Sequence, residues 1–249
     1  MENNDIVYGK NAVEALFKSD RASRINKILI SQHAKKDPKI ANIIKEAIDN
    51  KIPVQNVPKE KLCILTNQAA HQGVIAYISP IQYADLEETL ESIKDKQENS
   101  LIIMLDGVQD PHNLGAIIRS AKCAGADAVI IPKRNSSLVN STVEKCSAGA
   151  VSLIPIVQVT NLNNAIDLLK EYGFWVYAAE ANGEQKHHSV KYNTNTAFVM
   201  GGENQGVSKL TTQKCDMTIK INMKGEFNSL NVSNAASILM FEFLRQQEV

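Results

Sequence analysis

An apolar strand, a helix and a second apolar strand follow one another between residues 101 and 131. Leu101–Leu105 (LIIML) is apolar at every position, which is typical of a strand covered on both faces in a parallel sheet. Leu114–Ala124 has helical spacing of apolar residues, with Asn113 as its predicted N-cap and Gly125 just beyond its end. Ala128–Ile131 is the next strand. A strand–helix–strand unit of about 30 residues is a crossover connection, so the sequence predicts an α/β fold with a mostly parallel sheet.

The same alternation of strands and helices continues towards residue 200. We predict strands at Ile154–Val157, Phe174–Ala179 and Thr196–Met200, a helix at Leu162–Tyr172, and a helix or loop of small residues at Ser141–Ala148. Every one of these segments extends the pattern of a sheet with helical crossovers.

Residues 1–80 predict a separate, smaller α/β unit. Its helices are expected at Asn11–Phe17, Asp37–Asn50 and Lys59–Thr66, and its strands at Ile25–Ser31, Pro53–Val57 and Gly73–Ile78. Asp37 followed by Pro38 is a typical helix start. Residues 81–99 are acidic and polar, and there we expect a short helix and then a linker. The predicted domains are therefore 1–80 and 100–249.

Charge and composition exclude several classes of protein. The 249 residues carry no net charge, but residues 1–80 carry +4, residues 81–99 carry −4 and the remainder carries zero. The small basic excess fits a polyanion-binding module and equally a solvated face. No segment approaches the ~20 apolar residues of a membrane span, and the acidic start does not predict a signal peptide, so we expect a cytoplasmic protein. The cysteines lie far apart without CxxC spacing, which predicts free thiols and no metal site; they are Cys63, Cys123, Cys146 and Cys215.

A glycine-rich loop, Gly201–Ser208 (GGENQGVS), follows the predicted strand Thr196–Met200. Val207 and Ser208 stand where a P-loop needs lysine and serine or threonine, and the spacing is not that of the dinucleotide-binding fingerprint. The glycines would still allow a flat or small ligand to approach the backbone closely. A ligand loop and a simple turn both remain open at this point.

The spacing of apolar residues in the C-terminal stretch Thr218–Arg245 changes once, from strand-like to helical. Ile219, Ile221 and Met223 alternate and predict a strand, and Gly225 then breaks that pattern. The helical apolar spacing that follows comprises Val232, Ala235, Ala236, Leu239, Met240, Phe243 and Leu244. A helix needs one N-cap, yet four polar candidates precede this one or lie in its first turn: Asn228, Ser229, Asn231 and Ser233. We therefore favour a ligand site over a plain cap.

Three loops, at 106–113, 201–206 and 222–233, follow predicted strands and should meet at one edge of the sheet. They would bring together Asn113, Arg119, Glu203, Ser229 and Asn231. These residues contain no Ser-His-Asp set, metal cluster or carboxylate pair, so hydrolysis by those routes is not predicted. Amides with one arginine suit the binding of a cofactor and a phosphate-bearing substrate, and the transfer of a group to an oxygen. Arg119 itself is either an exposed helix arginine or a semi-buried, partnered one.

The three loops resemble the signature motifs of the SpoU/TrmH family of RNA ribose 2′-O-methyltransferases, in the SPOUT class. The matching segments, in the family's order, are Asp106–Ala121 (DGVQDPHNLGAIIRSA), Phe198–Val207 (FVMGGENQGV) and Ile219–Ser233 (IKINMKGEFNSLNVS). Residues 8–13 and 71–74 extend the likeness to the ribosomal-protein-L30e-like substrate-binding domain of the bacterial group that methylates a guanosine in the peptidyl-transferase loop of large-subunit rRNA.

The resemblance implies a deep trefoil knot in the C-terminal domain, an exception to the usual rule against knots. It also implies S-adenosylmethionine as cofactor, large-subunit rRNA as substrate and a homodimer with active sites near its interface. Cofactor-binding positions would be Gly201, Ile221 and Leu230, together with Gly202 and Gly206 of the same loop. Catalytic positions would be Asn113, Arg119, Glu203, Ser229 and Asn231. The alternatives are the same chemistry on tRNA, or a non-catalytic RNA-binding protein with this fold.

The family positions suggest roles for these side chains. We expect Arg119 to bind a neighbouring phosphate and polarise the hydroxyl, because an arginine is a very poor base. Asn113 would orient Arg119 or the ribose, Glu203 would fix the loop, and Ser229 and Asn231 would hold the substrate and the loop. Departures from the family pattern, at Asn222, Asn234 and Ala236–Ser237, lie beside the cofactor loop and leave the Ser-Leu-Asn core intact.

Overall fold

The computed structural model describes residues 6–17, 22–32, 34, 37–203, 205–224 and 229–248. The chain divides into two compact units, Met1–Gln82 with Val139–Ser141, and Tyr83–Leu138 with Thr142–Val249. Each unit has its own sheet and its own apolar core.

The first unit is built on a four-stranded mixed sheet. Its strands are β1 (Ile6–Tyr8), β2 (Ile25–Ser31), β3 (Val54–Val57) and β4 (Val74–Ile78), in the order β1-β4-β2-β3. The β2–β3 pair is parallel, and the pairs of β4 with β1 and β2 are antiparallel. Its helices are α1 (Lys10–Phe17), α2 (Pro38–Asp49) and α3 (Lys59–Leu65). The predicted cap of α2 is confirmed, since the Asp37 carboxylate accepts the Lys39 N–H at 2.9 Å.

The second unit contains the remaining elements and a seven-stranded sheet. The helices are α4 (Leu86–Ile93), α5 (Pro111–Cys123), α6 (Ser141–Cys146), α7 (Leu162–Glu171), α8 (Lys209–Lys214) and α9 (Val232–Gln247). The strands are β5 (Leu101–Asp106), β6 (Ala128–Pro132), β7 (Ile156–Val159), β8 (Trp175–Ala179), β9 (Gln185–Lys186), β10 (Thr196–Gly201) and β11 (Met217–Lys220). Their order is β7-β6-β5-β10-β8-β11-β9, and all six pairs are parallel, which confirms the predicted fold class.

Strand β5 lies inside this sheet, between β6 and β10, and is buried on both faces. Its residues from Leu101 to Leu105 are all 1% exposed or less, as the unbroken apolar run predicts. Ile102 and Met104 belong to one core cluster with Leu90 of α4 and Ile166 of α7. The acidic stretch 81–99 thus contains a helix that packs into the core of the second unit.

Two predicted boundaries are wrong, and both lie next to the candidate site. Asn113 is not the N-cap of α5, because Asp110 caps that helix by accepting the His112 N–H at 2.9 Å and Pro111 is its first residue. The last strand does not run from 219 to 223. Strand β11 ends at Lys220, so Ile221 and Met223 lie in the loop after it. Gly225 and Asn228 lie outside the described residues.

Candidate active site

The loops that follow β5 and β10 lie against each other at the carboxyl edge of the sheet. Gly201 is paired in register with Asp106, and the Gly202 N–H donates to the Asp106 carbonyl at 2.8 Å. A Cβ added at Gly202 would overlap the carbonyl oxygen of Gly107. A Cβ at Gly201 would overlap the backbone of Gly206. Both glycines are therefore required by close backbone packing within the loops, and their contact with a ligand stays a prediction.

Asn113, Glu203 and Asn231 form a hydrogen-bonded network that joins the three loops. The Asn113 Nδ2 donates to Glu203 Oε1 at 2.8 Å. The Asn231 Nδ2 donates to Asn113 Oδ1 at 2.9 Å and to Glu203 Oε1 at 3.2 Å. Asn113 is 7% exposed, so its amide is buried at the point where the network closes. The predicted convergence of the three loops is found in the structure.

Asn231 is also the N-cap of α9. Its Oδ1 accepts the Ser233 N–H at 2.9 Å and the Ser233 hydroxyl at 2.6 Å. The cap occupies the oxygen and leaves the NH₂ group to donate to Asn113 and Glu203. The Asn231 side chain therefore both caps α9 and orients the network, and the ligand site that we favour at this helix start stays a prediction.

An apolar cavity of about 250 Å³ opens beside this network. Ile221, Met223 and Leu230 contribute from the loop after β11, and Ala235 and Leu239 contribute from α9. Small residues form a further part of the wall, at Ala179, Ala181, Gly201, Gly202 and Gly206. Such a wall suits a flat apolar group and offers backbone polar atoms at its edge.

A second, polar groove of about 600 Å³ adjoins the cavity. Its polar lining comes from Asp106, Gln109, Asp110, Asn113, Asn135, Gln205 and Ser208. The groove and the cavity share Gly202, Glu203, Gly206 and Val232. Glu203 thus stands at the boundary between an apolar and a polar compartment.

Arg119 lies away from both compartments. It is exposed on α5, six residues after the buried Asn113, and it lines neither the cavity nor the groove. Within the described part of the chain it has no hydrogen bond or ion pair. The structure therefore places Arg119 on the surface, and the semi-buried, partnered alternative is wrong for the single chain.

The other predicted site residues are placed as follows. Ser229, Gly201, Gly202, Gly206, Ile221 and Leu230 all line the cavity, and Glu203 lines both compartments. The sequence analysis missed Glu180 and Met200 in the cavity wall. Glu180 directly follows a predicted strand, as the other site loops do, so the same rule about strand ends could have found it.

Cys215 lines neither compartment and offers no activated thiol. Burial raises the pKa of the Cys215 thiol to about 12, so this cysteine stays protonated near neutral pH and is a weak nucleophile.

Among the residues that the structure describes, no three side chains of His, Cys, Asp or Glu are grouped as metal ligands. In the same residues, no helix has the length and apolar character needed to cross a membrane.

The second unit, which carries this site, matches a known protein family. Residues 100–241 match the model of the SpoU rRNA methylase family. The chain belongs to the SpoU/TrmH family of RNA methyltransferases. Residues 6–84 match a second model, the RNA 2′-O ribose methyltransferase substrate-binding domain. The two matches together span most of both compact units.

Individual relatives agree with this assignment. A Staphylococcus aureus protein named as a TrmH family tRNA/rRNA methyltransferase is 47% identical over 243 residues, which cover 97% of this chain and 96% of the relative. The SpoU methyltransferase AviRb from Streptomyces viridochromogenes, crystallised with AdoMet, has the same fold, with a TM-score of 0.62 over 98% of this chain and 90% of that chain at 20% identity. The A. aeolicus TrmH/SpoU tRNA-modifying enzyme is 30% identical and covers 66% of this chain and 84% of its own, with a TM-score of 0.55.

Proposed function

We propose that this protein transfers a methyl group from S-adenosylmethionine to a ribose 2′-hydroxyl of RNA. The observation that carries the proposal is the network of Asn113, Glu203 and Asn231, which lies where the apolar cavity meets the polar groove. In-line transfer requires the donor and the acceptor to approach one point from two sides. A cavity and a groove with a common wall supply such a point.

The cavity fits the nucleoside end of S-adenosylmethionine. Its wall of Ile221, Leu230 and Ala235 can cover an adenine ring, and Gly201, Gly202 and Gly206 allow its edge to approach the backbone. AviRb, which has the same fold, was crystallised with AdoMet, and this supports the assignment. When bound, S-adenosylmethionine supplies a methyl group on a positively charged sulfur, from which an oxygen nucleophile can displace it.

The network would position the ribose in the groove. One Asn113 Nδ2 hydrogen is directed to Glu203, and the second is available to a ribose oxygen. Glu203 accepts from both asparagines and so fixes the two loops relative to each other. Ser229, at the mouth of the cavity, can donate its hydroxyl to the substrate or to the loop. These residues orient the hydroxyl and exclude alternative poses, which is the main contribution that such a site can make.

Arg119 requires a different placement, and we propose that it acts in the active site of a second copy of the chain. Arg119 is exposed and lines neither compartment of its own chain, whereas its guanidinium is well suited to bind a phosphate next to the target ribose. A two-fold homodimer would give each site one arginine from the partner. Exposed apolar side chains on α9, Ile238 and Phe241, support an interface on this side of the unit.

For the substrate we propose a guanosine in the peptidyl-transferase loop of large-subunit rRNA, with the first unit as the RNA-binding module. The match of residues 6–84 to a substrate-binding domain supports this role for the first unit. Transfer to tRNA is the second candidate, because the S. aureus relative is named for both RNAs and the A. aeolicus enzyme for tRNA. We propose in addition that the loops of the second unit form the trefoil knot that the sequence resemblance implies.

The test is transfer of labelled methyl from S-adenosylmethionine to total RNA, with the modified nucleotide mapped. We expect 2′-O-methylguanosine in large-subunit rRNA with the wild-type protein and at least about a 100-fold lower rate with Arg119→Ala. Label on tRNA would keep the reaction and replace the substrate. If the protein bound the cofactor but labelled no RNA, the catalytic proposal would be refuted.

Mixing two inactive variants tests the dimeric site. Heterodimers of Asn113→Ala and Arg119→Ala subunits would contain one intact site and one doubly altered site. Random mixing should therefore restore about a quarter of wild-type activity. Recovery of none, with dimers confirmed by sedimentation, would place Arg119 in the site of its own chain.

A further inference from the structure

Glu180 is a charged residue in the apolar cavity that belongs to none of the three loops already described. It directly follows β8, and its backbone N–H donates to the Ile219 carbonyl at 2.9 Å. Its Oε1 accepts the Thr212 hydroxyl at 3.1 Å. A Cβ added at Gly206 would stand 3.7 Å from Oε2, so the carboxylate reaches across to the glycine-rich loop. The Thr212 hydroxyl thus holds the carboxylate beside the glycine-rich loop.

The charge of Glu180 has no cation opposite it in the cavity wall. The described residues that line the cavity include Glu180 and Glu203 and no lysine or arginine. A carboxylate beside an apolar surface loses part of its hydration, and hydrogen-bond donors on a ligand can replace that hydration. Glu203 already accepts from two asparagines, whereas among the described residues Glu180 has a single side-chain donor, Thr212. Glu180 is therefore the better acceptor for a ligand.

The two compartments indicate which end of the ligand Glu180 faces. Glu180 lines the cavity and is absent from the groove, and the cavity is where the nucleoside end fits. The zwitterionic amino-acid end needs a more polar environment than the apolar wall offers, so we assign that wall to the nucleoside end. Of the donors on an adenine nucleoside, the ribose diol is the group that a carboxylate at the end of a parallel strand characteristically binds in nucleotide-binding sheets.

We propose that Glu180 accepts hydrogen bonds from the ribose hydroxyls of the cofactor, and that Thr212 positions its carboxylate. The inference rests on the proposed function, because it takes an adenine nucleoside as the occupant of the cavity. Glu180 is then a specificity residue that selects ribonucleosides over deoxynucleosides. It binds the cofactor without touching the amino-acid end.

Calorimetric titration of the full-length protein with two ligands tests this assignment. S-adenosylhomocysteine has both the ribose and the amino-acid end, whereas 5′-methylthioadenosine has the ribose alone. Glu180→Gln should weaken both ligands by about tenfold and by similar factors, which corresponds to about 1.4 kcal/mol. The 3′-deoxy form of methylthioadenosine should bind wild type more weakly, and Glu180→Gln should weaken it by less than threefold further. Glu184→Gln is the matched control, because it removes an equal charge from an exposed residue of the same segment.

The outcomes separate this inference from the proposed function. Loss of affinity for S-adenosylhomocysteine alone would assign Glu180 to the ammonium group and overturn the ribose assignment. Unchanged affinity for both ligands in Glu180→Gln would remove Glu180 from the binding site while leaving the proposed function intact. If the wild-type protein bound neither ligand, the proposed function itself would fail.

Thr212 can be tested separately as a positioning residue. Thr212→Val removes the hydroxyl and should weaken both ligands by about threefold, a smaller effect than Glu180→Gln. Thr212→Ser restores the hydroxyl and should restore both affinities. If Thr212→Val and Thr212→Ser weakened ligand binding equally, with an unchanged melting temperature, a role through the hydroxyl would be contradicted.

Discussion

The apolar cavity and the polar groove lie side by side yet are built differently. The cavity is formed by apolar side chains from the loop after β11 and from α9, together with small residues at the ends of β8 and β10. The groove is formed by acidic and amide side chains from the loop after β5 and from the glycine-rich loop. Glu203 and Gly202 belong to both. The contrast suggests a division of labour, in which the cavity determines cofactor affinity, the groove determines turnover and the common wall affects both.

The largest effect should come from the common wall. In Gly202→Ala the added Cβ overlaps the Gly107 carbonyl oxygen, so the glycine-rich loop must move and both compartments change. We expect at least about a 100-fold loss in turnover together with a clear loss of cofactor affinity, since displacements of about 1 Å can have such consequences. Methyl-transfer assays and calorimetry measure the two effects.

Gly173→Ala is the control for a general glycine effect. Gly173 has a positive φ of 78°, so alanine is strained there, but an added Cβ would meet no atom within 4 Å. This variant should lose about 1 kcal/mol of stability and keep its activity. Similar activity loss in both variants would indicate that stability, and not the common wall, accounts for the effect of Gly202→Ala.

A groove residue should affect turnover alone. Asn113→Ala removes the amide that donates to Glu203 and accepts from Asn231. Asn113 does not line the cavity, and Glu203 keeps its hydrogen bond from Asn231. We expect turnover to fall about 100-fold and cofactor affinity to change less than about threefold. Asn164→Ala, at an exposed position on α7, is the matched control. A large loss of cofactor affinity in Asn113→Ala would break the distinction between the two compartments.

Asn231→Asp separates the helix cap from the network. Aspartate keeps an oxygen for the Ser233 N–H, so α9 should remain capped and the melting temperature close to that of wild type. The variant cannot donate to Glu203 or Asn113 and adds a negative charge beside Glu203. Turnover should therefore fall by about 30-fold. Thermal unfolding measures the effect on the helix cap, and single-turnover kinetics measure the effect on the network. A destabilised but fully active variant would show that Asn231 acts as a cap and not in the network.

A cavity residue should affect affinity alone, with the smallest expected change. Ala235→Phe places a ring into the cavity of about 250 Å³ and should compete with the adenine ring for space. We expect cofactor affinity to fall about tenfold, and turnover at saturating cofactor to stay within about twofold of wild type. Calorimetry and assays at high cofactor concentration provide the two values. Unchanged affinity would argue that the cofactor does not occupy this cavity.

The sequence predicted the regular elements well and their exact ends less well. The β5–α5–β6 crossover and α9 are long and strongly periodic, so their type was clear from apolar spacing. The sequence predicts Asn113 as a cap because Asn and Asp are similarly good N-cap residues, although Asp110–Pro111 offers an earlier start. Ile221 and Met223 continue the strand-like alternation after β11 ends, because both line the apolar cavity.

The site itself was predictable in part. The rule that loops after parallel strands meet at one edge brought Asn113, Glu203 and Asn231 together correctly. The same rule could not indicate which way Arg119 points, since a side chain six residues farther along a helix lies about 240° around its axis. Nor could the sequence specify that Gly202 is needed by neighbouring backbone, because its contact with Gly107 joins segments about a hundred residues apart.

A crystal structure of the protein with S-adenosylmethionine tests the central claim most directly. We expect the adenine ring between Leu230 and Ala235 in the apolar cavity, and the methyl group facing Glu203 and the groove. Density for the adenine in the groove, or a methyl group directed away from Glu203, would contradict the division of the site into a cofactor cavity and a substrate groove.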